Sequence, residues 1–223
     1  MPVSGSLSST FLTPRSEWSA TFAPPIVWDV TLRDGTGGHV RPIGPEDRNR
    51  VGDFVARLSP RSLHERFFAA IRPEMAVEQL GDPGDPRERL LLGLFVGLGD
   101  GERLIGHAVY DRDGPYEDSA EAAFVVDDAF QGRGAATTLL ACLAECAAER
   151  GIAELRAVVP AGHLRMLGVF RGSGYPREEA PLGDVVLVRL STPRSPGTGP
   201  VSAGVRAVGR CRRRRAAPAP GRS

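Results

Sequence analysis

The sequence predicts an α/β fold, and three observations carry that expectation. The run Phe124-Val125-Val126 breaks at Asp127-Asp128 and turns through Gly132-Arg133-Gly134. It continues into a stretch where Ala136, Leu139, Leu140, Leu143 and Ala147 keep helical spacing. Asp34-Gly35-Thr36-Gly37-Gly38 and Gly99-Asp100-Gly101 each join two short extended runs, as hairpin turns do. Finally, strands and helices follow one another without an internal repeat.

In order, Ile26–Thr31 and His39–Ile43 are the arms of the first hairpin. Pro45-Glu46-Asp47 opens a helix, proline suiting its first turn and acids its positive end, with Val51, Phe54, Val55 and Leu58 as its apolar face. Ser59-Pro60 starts a second helix with the stripe Leu63, Phe67, Phe68 and Ile71, and a third short one spans Pro73–Leu80. Strands are expected at Leu90–Leu98, Arg103–Tyr110 and Ala120–Val126, then a helix from about Gly132 to Arg150 closed by Gly151. A strand at Ala153–Val159, a helix at Leu164–Arg171 and a strand at Asp184–Leu190 complete the order.

Strand, glycine turn and helix N-terminus together form an anion site, because the first N–H groups of a helix lack internal acceptors and carry its positive pole. Two common phosphate motifs are excluded. A P-loop needs a lysine, and all 28 basic residues here are arginine. A dinucleotide fingerprint needs glycine where Thr137 stands. What remains is Gln131-Gly132-Arg133-Gly134-Ala135-Ala136. Here the sequence resembles the GCN5-related N-acetyltransferase (GNAT) family, whose pyrophosphate loop reads R/Q-x-x-G-x-G/A. The element order over residues 26–191 is similar to that family's throughout. The block Val40-Arg41-Pro42-Ile43 and the run Ser59 to Phe68 resemble the N-terminal part of bacterial protein-lysine acetyltransferases.

The resemblance implies the GNAT fold, a single mixed and mostly antiparallel central sheet flanked by helices. It implies acetyl-CoA as acyl donor, held at the pyrophosphate by Gln131, Gly132, Arg133, Gly134, Ala135 and Ala136. It further implies that the backbone of Phe124, Val125 and Val126 pairs with the pantetheine arm, an N–H near Val126 donating to the thioester carbonyl. Taking a proton from a lysine amine at neutral pH costs roughly 4–5 kcal/mol, so a carboxylate base is needed. Glu121, in Ala120-Glu121-Ala122-Ala123-Phe124, matches the family's base, and its apolar neighbours are expected to raise its pKa. A plain surface carboxylate is the other reading. Asp127 and Asp128 read as structural turn acids, and Arg133 either pairs with a phosphate or faces solvent. His163 stands where the family often has a cofactor-binding asparagine and either replaces it or has no such role. No tyrosine between Gly162 and Gly174 offers itself as the acid for the leaving thiolate, and Tyr175 reads as packing.

The acceptor has no readable code. Protein lysine leads, with a small amine as alternative and a non-catalytic acyl-CoA-sensing module as a different class. Residues 1–25 and 192–223 are expected to be disordered around a domain at 26–191. The tail holds eight arginines and no acid, leaving 20 arginines against 27 acids elsewhere, a balance that favours a cationic acceptor. Its run Cys211 to Arg215 suits nucleic acid or an acidic surface, but a solvated tail is the preferred reading. Cys142 and Cys146 are expected in or near the core, no metal site is suggested, and no signal peptide or membrane span is evident. A soluble, cytoplasmic protein is expected.

Overall fold

The computed structural model describes residues 26–114, 117–193 and 212–215. The expected disorder of 1–25 and of most of 192–223 therefore falls outside the described residues, as does Cys211. The elements are β1 (Ile26–Thr31), β2 (Gly37–Pro42), α1 (Arg48–Arg57), α2 (Pro60–Phe67), α3 (Pro73–Gly81), β3 (Arg89–Val96), β4 (Arg103–Arg112) and β5 (Ser119–Val126). They continue with α4 (Ala135–Glu149), β6 (Glu154–Pro160), α5 (Leu164–Arg171), β7 (Arg177–Leu182), β8 (Val185–Ser191) and β9 (Arg212–Arg215). One sheet runs β7-β8-β6-β5-β4-β3-β2-β1-β9. Its neighbours are antiparallel except β5 and β6, which are parallel, so the expected mixed, mostly antiparallel sheet is what forms.

Period-two alternation sorts each strand between two cores. On β5, Ala120, Ala122, Phe124 and Val126 face α4 and α5, meeting Leu139, Leu143, Leu167 and Phe170. Ala123 and Val125 face the other side, toward Val51, Phe54 and Leu80 of α1 and α3. The buried face of α4 is wider than the expected stripe, taking in Ala141, Cys142, Ala144 and Cys146, because the helix packs across β3, β4 and β5 and against α5. It lies so close to β4 that a Cβ on Gly106 would stand 2.9 Å from Leu139. Tyr175 is core, as expected.

A charged network anchors the start of α1. Asp47 is fully buried and accepts from Arg41 Nη1 (2.6 Å) and Nη2 (2.8 Å) and from the Gly44 N–H (3.0 Å). Arg41 stacks on the Phe95 ring (3.8 Å to the centroid) and reaches Glu102 (2.6 Å), which also takes a 2.7 Å contact from His39. Burial works against the Asp47 carboxylate, yet Arg41 and the Gly44 N–H hold its pKa below the usual range.

The structure departs from expectation at three places. Phe68 does not extend the α2 stripe: it ends the helix with φ 55°, its N–H bonding His64 O (2.8 Å), and its ring is exposed. β7 was absent from the expected elements because Arg177-Glu178-Glu179-Ala180-Pro181 lacks strand-forming residues; as an exposed edge strand it needs only main-chain pairing with β8. Within the tail expected to be disordered, Arg212–Arg215 pair with β1 from Asp29 to Ile26. An open sheet edge accepts any extended backbone, whatever side chains it carries.

Candidate active site

Pairing between β5 and β6 covers only Ser119↔Glu154, Ala120↔Leu155 and Glu121↔Arg156. Beyond Glu121 the two strands part, and Ala122–Val126 face Ala157–Pro160 across a cavity of about 540 Å³. The Asp127 N–H is spent on Ile105 O of β4 (2.9 Å). Successive N–H groups of a strand point to opposite edges, so those of Phe124 and Val126 face the opening. That is the main-chain edge a pantetheine arm requires, and it fits an acyl-CoA donor.

At the open, C-terminal end of β5 the chain turns into α4. Gly132 (φ 76°) and Gly134 (φ 91°) are both left-handed, which is why the helix starts at Ala135 and not at Gly132. The first ladder bond of α4 runs from Thr138 N to Gly134 O (3.0 Å), so the N–H groups of Ala135, Ala136 and Thr137 precede it and point at the cavity mouth. Gln131 donates to Val126 O and to Ser62 Oγ (both 3.2 Å) and accepts from Arg165 (3.3 Å).

The turn aspartates fasten this loop. Asp127 accepts from Arg103 (2.8 Å) and Arg57 (3.0 Å), while Asp128 accepts from the Ser59 N–H (3.0 Å) and hydroxyl (2.9 Å) and from the Ser62 hydroxyl (2.9 Å). Burial raises both carboxyls, but these donors more than offset it and both pKa values end up lowered. Neither aspartate lines the cavity, in keeping with a structural role.

Of the residues singled out in the sequence, Glu121, Phe124, Val125, Val126, Gln131, Gly132, Gly134, Ala135, Ala136 and His163 line this one cavity. Arg133 does not. Its guanidinium turns outward to Asp34 (2.6 Å) and over the Phe130 ring. Glu121 sits at the apex where the strands part, and its side chain is exposed. The apolar enclosure expected around it is missing because Ala120 and Ala122 point to the opposite face. His163 caps α5, and its Nε2 lies 3.3 Å from Glu65 Oε2. Burial, aided by Arg61 and Arg165 and opposed by Glu65, lowers its pKa. Among the described residues no group of three or more His, Cys, Asp and Glu could hold a metal ion, and no helix is long and apolar enough to cross a membrane.

Arg33, Glu65, Arg66 and Arg165 also line the cavity, although none stands out in the sequence as a site residue. Arg33 arrives from the β1–β2 turn, whose backbone is tied to the loop by Arg33 N to Arg133 O (3.0 Å). Nothing local in the sequence marks that contact, which spans a hundred residues. Glu65 and Arg66 lie inside the block already noted for its resemblance, which was the available signal.

The sequence pattern of the acetyltransferase (GNAT) family matches residues 61–175, just over half of the chain. The chain is 35% identical to the GNAT domain of S. lividans PAT, with a TM-score of 0.64 over 73% of this chain and 95% of that one. It is 29% identical to an acetyltransferase of Pseudomonas aeruginosa, over 69% of this chain and 83% of the relative. It is also 29% identical to the acetyltransferase Pat of Mycolicibacterium smegmatis, covering 78% of this chain but only 51%, about half, of that protein. Open parallel strands, glycine loop and sequence agree: the chain belongs to the GNAT acetyltransferase family and is an N-acetyltransferase that uses acetyl-CoA as its acyl donor.

Proposed function

We propose that the chain acetylates a lysine amine of a protein by direct attack, with Glu121 as general base. The observation that supports this most is that Glu121 and the glycine loop lie on one cavity, at opposite ends of the unpaired part of β5. The loop and the N-terminus of α4 bind the pyrophosphate through Gln131, Gly132, Gly134, Ala135 and Ala136, and the Phe124 and Val126 main chain holds the pantetheine arm. The Val126 N–H then orients the thioester carbonyl and stabilises charge on its oxygen. Glu121, directly or through water, receives the amine proton as the C–N bond forms and the C–S bond breaks, and coenzyme A leaves as a thiolate that takes its proton from water. Protein lysine as acceptor is supported by the resemblance of Ser59–Phe68 to bacterial protein-lysine acetyltransferases, since Ser62, Glu65, Arg66, Phe67 and Phe68 line the cavity. Buried, reduced Cys142 and Cys146 are consistent with the cytoplasm as its compartment. Acetyl-CoA turnover measured against acyl-CoA synthetase-type proteins, lysine peptides and small amines tests the reading. Turnover with small amines alone would replace the acceptor, and acetyl-CoA binding without turnover would make the chain a sensor.

In this arrangement Arg33, not Arg133, is the arginine that meets the donor's phosphates. Arg33→Gln is expected to raise KM for acetyl-CoA about tenfold, the worth of one charge-assisted contact. With acetyl-pantetheine, which lacks those phosphates, KM should stay as it was. Steady-state kinetics with both donors decides it, and an equal change for both would assign Arg33 to hairpin structure instead.

A further inference from the structure

Arg66 lines the acceptor end of the cavity together with Glu121 and Phe68. Other arginines nearby are paired: Arg57 with Asp127, Arg61 with Glu65, Arg89 with Asp111. Arg66 forms no ion pair among the described residues, and its Nε is buried without a hydrogen-bond partner. The Phe67 ring lies 4.9 Å from its guanidinium carbon. Its surroundings disfavour its charge. Burial, then the nearby charge of Arg89, push its pKa down to about 10, while Asp111 and Glu121 oppose this at longer range.

Arg66 is half-buried; a cation partly removed from water without a close counterion is held at a cost, and the cost falls when an anion completes the pair. The guanidinium fork matches a carboxylate, which accepts two parallel N–H bonds. The acidic body attracts an amine, but at this spot the local charge is positive beside the negative Glu121. Such a pair complements an amine with an acid close by. Resting on the reading of Glu121 as base, we infer that Arg66 is a subsite for a carboxylate carried by the acceptor next to its reacting amine: an aspartate or glutamate flanking the target lysine, or the acid group of a small amino acid.

The test uses matched acceptors with acetyl-CoA and the full chain: lysine peptides flanked by glutamate or by glutamine, and ε-aminocaproate against its amide. In each reactive pair the acid form is expected to show a kcat/KM about tenfold higher. Arg66→Gln should bring that ratio to near one, and Arg66→Lys, which keeps charge without the fork, should retain part of it. Ratios near one in the unaltered protein overturn the inference without any variant, so a misfolded substitution does not rescue it. A ratio that survives Arg66→Gln, or an equal loss on both acceptors, also overturns it, the latter assigning Arg66 to support of Glu121 or of the fold. Acetyl-CoA binding with no transfer to any acceptor defeats the catalytic reading itself, and the Arg66 subsite with it, and is told apart from transfer without acid preference.

Discussion

Glu121→Gln should lower kcat for acetyl transfer by about 10²–10⁴-fold, the usual worth of a positioned general base, while acetyl-CoA binds as before. The side chain is exposed and the replacement nearly isosteric, so neither fold nor donor cavity should be disturbed. The variant then depends on amine that has already lost its proton to solvent. That fraction grows as pH approaches the amine pKa of about 10.4, so the gap between variant and parent should narrow with rising pH. A pH–rate profile together with calorimetric titration of acetyl-CoA checks both halves. An unchanged kcat would move the base elsewhere, and the Glu65–His163 pair on the same cavity would be the next place to look.

Asp47→Ala should cost about 3 kcal/mol of folding stability, because it leaves a half-buried Arg41 with fewer partners and the Gly44 N–H with none. For a domain of this size, that is a fall in Tm of about 10 °C. The pH dependence has a definite sign. The Asp47 pKa is depressed below 3.8 in the fold, so its contribution is complete above the unfolded value and disappears as pH falls through the folded one. The parent should therefore lose stability below about pH 4, and Asp47→Asn should lose less there. Urea unfolding at neutral pH and at stepwise lower values measures both effects. Equal pH profiles for parent and Asp47→Asn would show that another carboxylate governs acid unfolding.

Local chemistry was readable and distant pairing was not. The β5–loop–α4 unit could be read because strand, left-handed glycines and helical stripe are consecutive in the chain. Both hairpins carried their turn residues with them. The charged edge strand β7 escaped because its formation depends on β8 and not on its own residues. At the site, the glycine loop was plain, whereas the direction of Arg133 was set by Asp34, ninety-nine residues away. The exposure of Glu121 depended on where β5 stops pairing with β6, a property of the assembled sheet. Arg33 and Arg66 entered the cavity from elements whose docking has no local signature.

Asp127 and Asp128 are consecutive, yet one holds α1 and β4 and the other holds the start of α2. The loop that follows them is thus bolted to α1 and to α2, and α2 supplies Ser62, Glu65, Arg66 and Phe67 to the cavity wall. A substitution at Ser62, which lines the cavity and holds both Asp128 and Gln131, is expected to change donor affinity along with acceptor affinity, and any such coupling is reciprocal. The donor loop and the start of α2 thus share one set of hydrogen bonds.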